Sequence, residues 1–283
     1  MRPRLHVHAT CWNEERMLPF FLRHYEPVAE RIFVYDDQST DRSRDILAKS
    51  PCVTIVPITT EGDSYVDFLR NLYDQCWKRS RGRAEWVVVC NVDEHFFHPA
   101  GLGPYLAACR RAGVTLVQAE GFEMLADRFP APTDSLVDAV RHGVRNPRLD
   151  KPGVFAPDAI ADINYTPGRH QATPTGRVVV PVVRELRLLH YKHLGVEYVS
   201  ERYAQLQGRR RSRDLGMRWG HEYAMDSAAI ARTHAEWATR AAPVVPPRTM
   251  LPTAGVGRFF SRSPRPVVRA GTPGRAMPIG AAS

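Results

Sequence analysis

Lysine is nearly missing from this 283-residue chain. Only Lys49, Lys78, Lys151 and Lys192 occur, so arginine carries almost all the positive charge, a bias that reads as codon usage. Long apolar runs are missing too: no 18 consecutive apolar residues occur, so no spanning helix is expected. The first eight residues lack the apolar core of a secretion signal, and a cytoplasmic location is expected. The five cysteines, Cys11, Cys52, Cys76, Cys90 and Cys109, are odd in number and form no CxxC. That excludes a simple disulfide scaffold and a cysteine zinc site, and suits a reducing compartment. Acid is absent from Ala242 onward, where 42 residues hold six arginines and eight prolines. This segment is expected to be a disordered tail whose removal leaves fold and activity nearly unchanged. It supplies six of the nine net positive charges, so the body is nearly balanced. Specific nucleic-acid binding is therefore not expected, although a basic tail is compatible with peripheral contact to anionic lipid.

What is present, over the first 120 residues, is an alternation of strand and helix signals. Strands are predicted at 5–10, 31–35, 53–57, 85–92 and 114–119, and helices at 41–49, 65–77 and 102–111. A further helix is predicted after Asn13, with Asn13 as its cap and Glu14 and Glu15 at its positive end. The run Trp86-Val87-Val88-Val89-Cys90 is typical of a strand buried on both faces. Such alternation implies an α/β fold, with a mostly parallel sheet flanked by helices. Ligands of these sheets bind at the carboxyl ends of the strands. Three polar clusters fall there: Thr10-Cys11-Trp12-Asn13, Asp36-Asp37 and Asn91-Val92-Asp93-Glu94.

Each cluster has a chemistry. Asp93 and Glu94, beside Asn91, are hard oxygen donors suited to Mg²⁺ or Mn²⁺. Turn and cap propensity explains Thr40 and Asp41, but not two adjacent acids directly after an apolar strand. A carboxylate at Asp36 or Asp37 can accept from a pyrimidine N3–H. Beyond Phe122, scattered prolines mark loops, with strands predicted at 177–184 and 185–191 and helices at 198–207 and 219–239.

Three blocks carry a resemblance: Ala9-Thr10-Cys11-Trp12-Asn13-Glu14-Glu15, Tyr35-Asp36-Asp37-Gln38-Ser39-Thr40-Asp41 and Asn91-Val92-Asp93-Glu94-His95-Phe96-Phe97. In order and spacing they resemble the family 2 glycosyltransferases, which are inverting, nucleotide-sugar-dependent enzymes of GT-A fold. The second block resembles the family's DDxSxD loop, and the third its DxDEF metal motif with Asn91 in place of the first acid. The resemblance implies a GT-A-like sheet, with residues 1–120 as the nucleotide-sugar-binding half. Residues 121–241 would then form a loop-rich acceptor half with C-terminal helices, followed by the tail at 242–283. It implies transfer of a sugar, hexosyl or related, from a UDP-type donor to an acceptor hydroxyl.

The implied roles follow residue by residue. Thr10, Trp12, Asp36 and Asp37 meet the uridine, and Arg70 reaches the diphosphate or sugar. Asp93 binds the divalent ion, with His190 completing its shell. Glu120 and Asp127, ahead of Glu123, are candidates for the catalytic base, while Lys151 or the histidine of the Gly168-Arg169-His170 segment contacts phosphate or acceptor. Because the first 120 residues offer acids at the strand ends, a diphosphate is expected to require Mn²⁺ or Mg²⁺ there. Two other classes compete: a nucleotidyltransferase on a related sheet, and a non-catalytic relative holding nucleic acid through Arg209–Arg213 and the tail. The first usually opens with a glycine-rich phosphate loop, and residues 10–15 contain no glycine.

Overall fold

The computed structural model describes residues 3–247 and a short strand at 266–268. The strands are β1 (Leu5–Cys11), β2 (Arg31–Asp36), β3 (Val53–Pro57), β4 (Trp86–Asn91), β5 (Glu94–Phe97), β6 (Leu116–Val117) and β7 (Glu120–Ala126). They continue with β8 (His142–Arg145), β9 (Val154–Phe155), β10 (Val179–Pro181), β11 (Arg187–Leu194), β12 (Ala242–Pro243) and β13 (Pro266–Val268). The helices are α1 (Leu18–Tyr25), α2 (Ser43–Leu47), α3 (Tyr65–Gln75), α4 (Leu102–Arg111), α5 (Leu136–Ala139), α6 (Val196–Gln207), α7 (Ser212–Gly216) and α8 (Ser227–Arg240). None among the described residues is long and apolar enough to cross a membrane.

The fold is α/β, with a mostly parallel sheet flanked by helices. Its strand order is β3-β2-β1-β4-β9-β6, and β3, β2, β1 and β4 run parallel. The two-residue period of a strand explains the layering. Trp86, Val88 and Cys90 share one buried cluster with Phe20, Phe21 and Tyr25 of α1 and with Leu106 of α4. Val87 and Val89 face the other way, toward Tyr73 of α3 and Trp77. The carboxyl ends of all four parallel strands lie on one edge.

A second sheet, β12-β8-β7-β11-β5, was not legible in the sequence. The chain enters it between Asn91 and Glu94, where β4 ends in the first sheet and β5 begins in the second. Asp93 thus sits on the crossing between the two sheets. Asn13 does not cap α1, which begins five residues later. Instead its Oδ1 accepts the Thr40 N–H at 2.8 Å, clamping the loop after β1 to the loop after β2.

The start of the expected disordered tail is packed. Ala242 and Pro243 pair with Gly143 and His142 of β8, and Val244 and Val245 are buried in the main core. Arg141 donates to the carbonyl of Pro246, and Arg187 to that of Val244. Removing everything after Ala242 therefore strips two core valines. Backbone pairing of β13 with β10 also brings Pro266–Val268 onto the body. The rest of the expected tail lies outside the described residues.

Several histidines are buried without charge. His8 is fully buried, with Nδ1 3.1 Å from the Tyr35 hydroxyl and Nε2 2.9 Å from Ser80. Burial, aided by His6 and Arg79, holds its imidazole well below the usual range. Burial and the stacked His24 do the same to His95, and burial brings His24 down to about 4. Below pH 6.5 the unfolded chain protonates these rings and the folded chain does not, so stability falls as pH falls, by up to about 1.4 kcal/mol per pH unit per ring. Glu14, raised to about 7 chiefly by burial, opposes this with a single carboxyl. Melting temperature is expected to drop between pH 7 and pH 5, and a flat or rising profile would contradict neutral burial of the three rings.

Candidate active site

A cleft of about 640 Å³ opens along the carboxyl edge of the parallel sheet. One wall comes from the strand ends, with Thr10, Trp12, Asn91 and Asp93. Helix α3 adds Tyr65, Arg70 and Tyr73; the second sheet adds Glu123, His190 and Lys192; and the chain from α6 to Tyr223 closes the far side. A smaller recess of about 370 Å³, framed by Trp12, Asp37, Thr60, Tyr65 and Arg209, lies beside it.

At the centre, Asp93 Oδ2 lies 3.3 Å from His190 Nε2. The other imidazole nitrogen, Nδ1, is 2.6 Å from Glu123 Oε2. Register explains the second contact, because His190 is directly opposite Glu123 in the parallel β7–β11 pair. A bulge follows before His193, a device that re-aims side chains beside functional sites. Burial disfavours the charged imidazole, but Glu123 and Asp93 outweigh it and raise His190 to about 10. Nδ1 is hydrogen-bonded to Glu123 Oε2, and the protonated imidazole is the form that both neighbouring carboxylates favour. Burial alone would push the Glu123 carboxyl up, yet His190 brings it down to about 2. The same imidazolium lowers Asp93 against its own burial. Asp93 Oδ1 is buried and has no hydrogen-bond partner among the described residues.

Glu94, expected as a possible metal ligand, is fully buried and turned away from that role. Lys151 donates to its Oε1, and Arg169 Nη2 donates to its Oε2 at 2.6 Å. Burial would raise its carboxyl, but Arg169 and Lys151 hold it well below the usual range. Arg169 also donates to the Val89 carbonyl at 2.7 Å and to Asn91 Oδ1 at 3.1 Å. Its backbone φ of 59° is in the left-handed region, and these bonds hold it there. Asn91 Oδ1 also accepts from the Tyr73 hydroxyl at 2.6 Å, and that hydroxyl lies 2.5 Å from Thr10 Oγ1. The asparagine at the usual position of an acid is thus an acceptor between a phenol and a guanidinium. Thr10 is part of this floor.

The two acids that end β2 and begin the loop after it separate. Asp37 faces the recess, where its Oδ1 accepts the Thr60 N–H at 3.0 Å and its Oδ2 accepts from the Thr60 hydroxyl and Arg209. Asp36, the last residue of β2, is buried and borders neither cavity; its closest ion partner is Arg44 at 3.8 Å. Arg70 borders the cleft, 3.4 Å from Asp67. Of the three acids weighed as base, only Glu123 lines the cleft. Glu120 starts β7 outside it, and Asp127 is exposed beyond the end of β7.

The charge balance differs from the sequence expectation. The cleft is lined by nine lysines and arginines against five carboxylates, and most of the cations come from beyond residue 120. Glu14 pairs with Arg202, Asp37 with Arg209, and Glu94 with Lys151 and Arg169. An acidic edge therefore does not by itself require a divalent ion, because later elements neutralise it. Among the described residues no group of three histidine, cysteine or acidic side chains forms a preassembled metal cage. Sequence reading missed Tyr65, Tyr73, Arg202 and Arg209. The run Arg209–Arg213 was the available signal, but it is not a free basic patch: Arg211 donates to the Thr60 carbonyl at 2.7 Å and Arg213 lies 2.8 Å from Asp67. Asp214 fastens the run by accepting from Ser64 Oγ at 2.6 Å and from the Tyr65 N–H at 2.9 Å, capping α3.

No protein-family model matches the sequence, and no curated protein matches it. Among solved structures, the chain is similar to glucosyl-3-phosphoglycerate synthase from Mycobacterium tuberculosis in complex with Mn²⁺, UDP and glucosyl-3-phosphoglycerate. Identity is 13%, over 59% of this chain and 62% of that one, with a TM-score of 0.35. It is also similar to mannosyl-3-phosphoglycerate synthase from Rubrobacter xylanophilus, at 15% identity over 42% and 40% of the two chains, with a TM-score of 0.31. The chain thus spans between 40% and 62% of the length of these two structures. Likenesses this partial carry no weight for what the cleft does, which rests on its own residues.

Proposed function

We propose that the cleft is the active site of a GT-A-like inverting glycosyltransferase that moves a sugar from a UDP-type donor to an acceptor hydroxyl. The observation that carries this reading is the juxtaposition of two features. One is a recess with an aromatic wall, Trp12 and Tyr65, and the Asp37 carboxylate; the other is an adjoining cationic cleft that contains Asp93. The recess suits a flat base with an N–H donor, and the cleft suits the diphosphate that follows it.

A divalent ion, Mn²⁺ or Mg²⁺, fits Asp93, whose buried Oδ1 is an oxygen donor without a partner among the described residues. When bound, such an ion stabilises charge on a departing diphosphate. His190 holds Asp93 from the opposite side, and joins the ion's shell only by giving up a proton. Arg70 and Arg202 line the same space for the anionic donor. Of the three acids weighed as base, Glu123 is the one that lines the cleft and is our candidate to take the proton of the acceptor hydroxyl, a role that requires it to leave its pairing with His190.

Calorimetry with UDP tests the reading. The Asp37→Ala variant is expected to lose roughly 1.5–3 kcal/mol of UDP binding, the range for a hydrogen bond to a charged group. A folded variant with unchanged UDP affinity would remove the uridine assignment.

A further inference from the structure

The space between Trp12, Tyr65 and Asp37, on one side of the recess, is taken by one of the protein's own side chains. Arg209 lies two residues past the end of α6, and its guanidinium carbon is 4.2 Å from the Trp12 ring centroid and 4.6 Å from that of Tyr65. Its Nη2 donates to Asp37 Oδ2. A planar group against these two rings, with an N–H directed at Asp37, is what a uracil-type base presents to the same three residues. The fit is incomplete, because Arg209 Nη1 is buried without an acceptor among the described residues. An unsatisfied buried donor makes the self-contact less favourable than full pairing. Arg209 also borders both the recess and the main cleft. The backbone on either side is anchored, by Arg211 to the carbonyls of Thr60 and Gly62 and by Asp214 to the start of α3. Exchange therefore requires only the side chain to move.

We propose that Arg209 is a base surrogate: it occupies the base recess in the ligand-free protein, is displaced by the incoming base, and turns into the cleft to meet the diphosphate. This rests on the nucleotide reading of the recess given above. The base must compete with the guanidinium, so its apparent affinity is reduced by the fraction of molecules in which the recess is open. A nucleoside alone receives nothing in return. A nucleoside diphosphate recovers the loss, because the released cation pairs with its phosphates. The two halves of the donor are thereby coupled through one side chain.

Calorimetry of uridine and of UDP with the native chain, Arg209→Ala and Arg209→Lys tests this. Uridine is expected to bind Arg209→Ala about tenfold more tightly than the native chain, the factor by which a mostly closed recess weakens it. The advantage of UDP over uridine is expected to shrink by a similar factor. Arg209→Lys should also tighten uridine, because an ammonium does not fill the planar space, and this variant decides the matter if the alanine variant does not fold. Unchanged or weaker uridine binding in both variants, with UDP still bound by the native chain, would make Arg209 a fixed wall; the proposal would fall and the nucleotide reading would stand. Failure of all three proteins to bind either ligand would overturn both.

Discussion

Replacing Glu94 with glutamine is expected to destabilise the protein by roughly 3–5 kcal/mol, the cost of breaking a buried ion pair by removing one partner. The carboxylate is fully buried, and its two oxygens are shared among Lys151, Arg169 and the Asn91 N–H. Glutamine keeps the volume but removes the charge. Lys151 and Arg169, themselves 6% and 2% exposed, are then left as buried cations without a counter-charge. Loss spreads to the cleft, because Arg169 also positions Asn91, and Asn91 positions Tyr73. The denaturation midpoint of Glu94→Gln should fall well below that of the native chain, and residual activity should fall with it. A midpoint equal to the native value would show that the three charges do not depend on one another. Sequence reading grouped Glu94 with Asp93 as a hard oxygen donor for the ion, whereas the fold makes it the counter-charge of two buried cations.

Asp93→Asn is expected to leave the fold in place and to abolish Mn²⁺-dependent binding and turnover of UDP-sugar. Asp93 stands where the chain leaves the parallel sheet for the second sheet, and the Tyr191 N–H donates to its carbonyl at 2.8 Å, so its position is set by two sheets at once. Asparagine preserves that backbone and a neutral oxygen, but not the anionic donor. Two readouts separate metal from chemistry: Mn²⁺ titration by calorimetry in the presence of UDP, and turnover before and after chelation. Loss of the first with unchanged melting temperature is the expected result. Full turnover in the variant, or native turnover indifferent to chelation, would show that the nine cations lining the cleft suffice for the diphosphate.

What the sequence by itself determined is local in origin. The apolar run of β4 reads as a strand buried on both faces, and the alternation of the β1, β2 and β3 strand signals with helices made the sheet parallel. Parallel strands bring their carboxyl ends to one edge, so Thr10, Trp12, Asp37 and Asp93 could be placed near one another without coordinates. The second sheet was not legible because its strands pair over long separations and its apolar residues are diluted by polar ones. His190 meets Glu123 across 67 residues, and Arg209 meets Asp37 across 172. Neither contact leaves a periodicity in the chain. Tertiary structure alone decided which acids carry charge into the cleft and which are neutralised inside the protein. Asp36 and Asp37 are adjacent in sequence, yet only Asp37 faces the recess, because neighbouring residues at a strand end point to opposite sides. Glu94 and Asp93 divide in the same way, one held between two buried cations and the other left with a free oxygen. The charge of the site is a property of elements far apart in the chain, since a carboxylate's state depends on which cation the fold brings within a few ångströms of it.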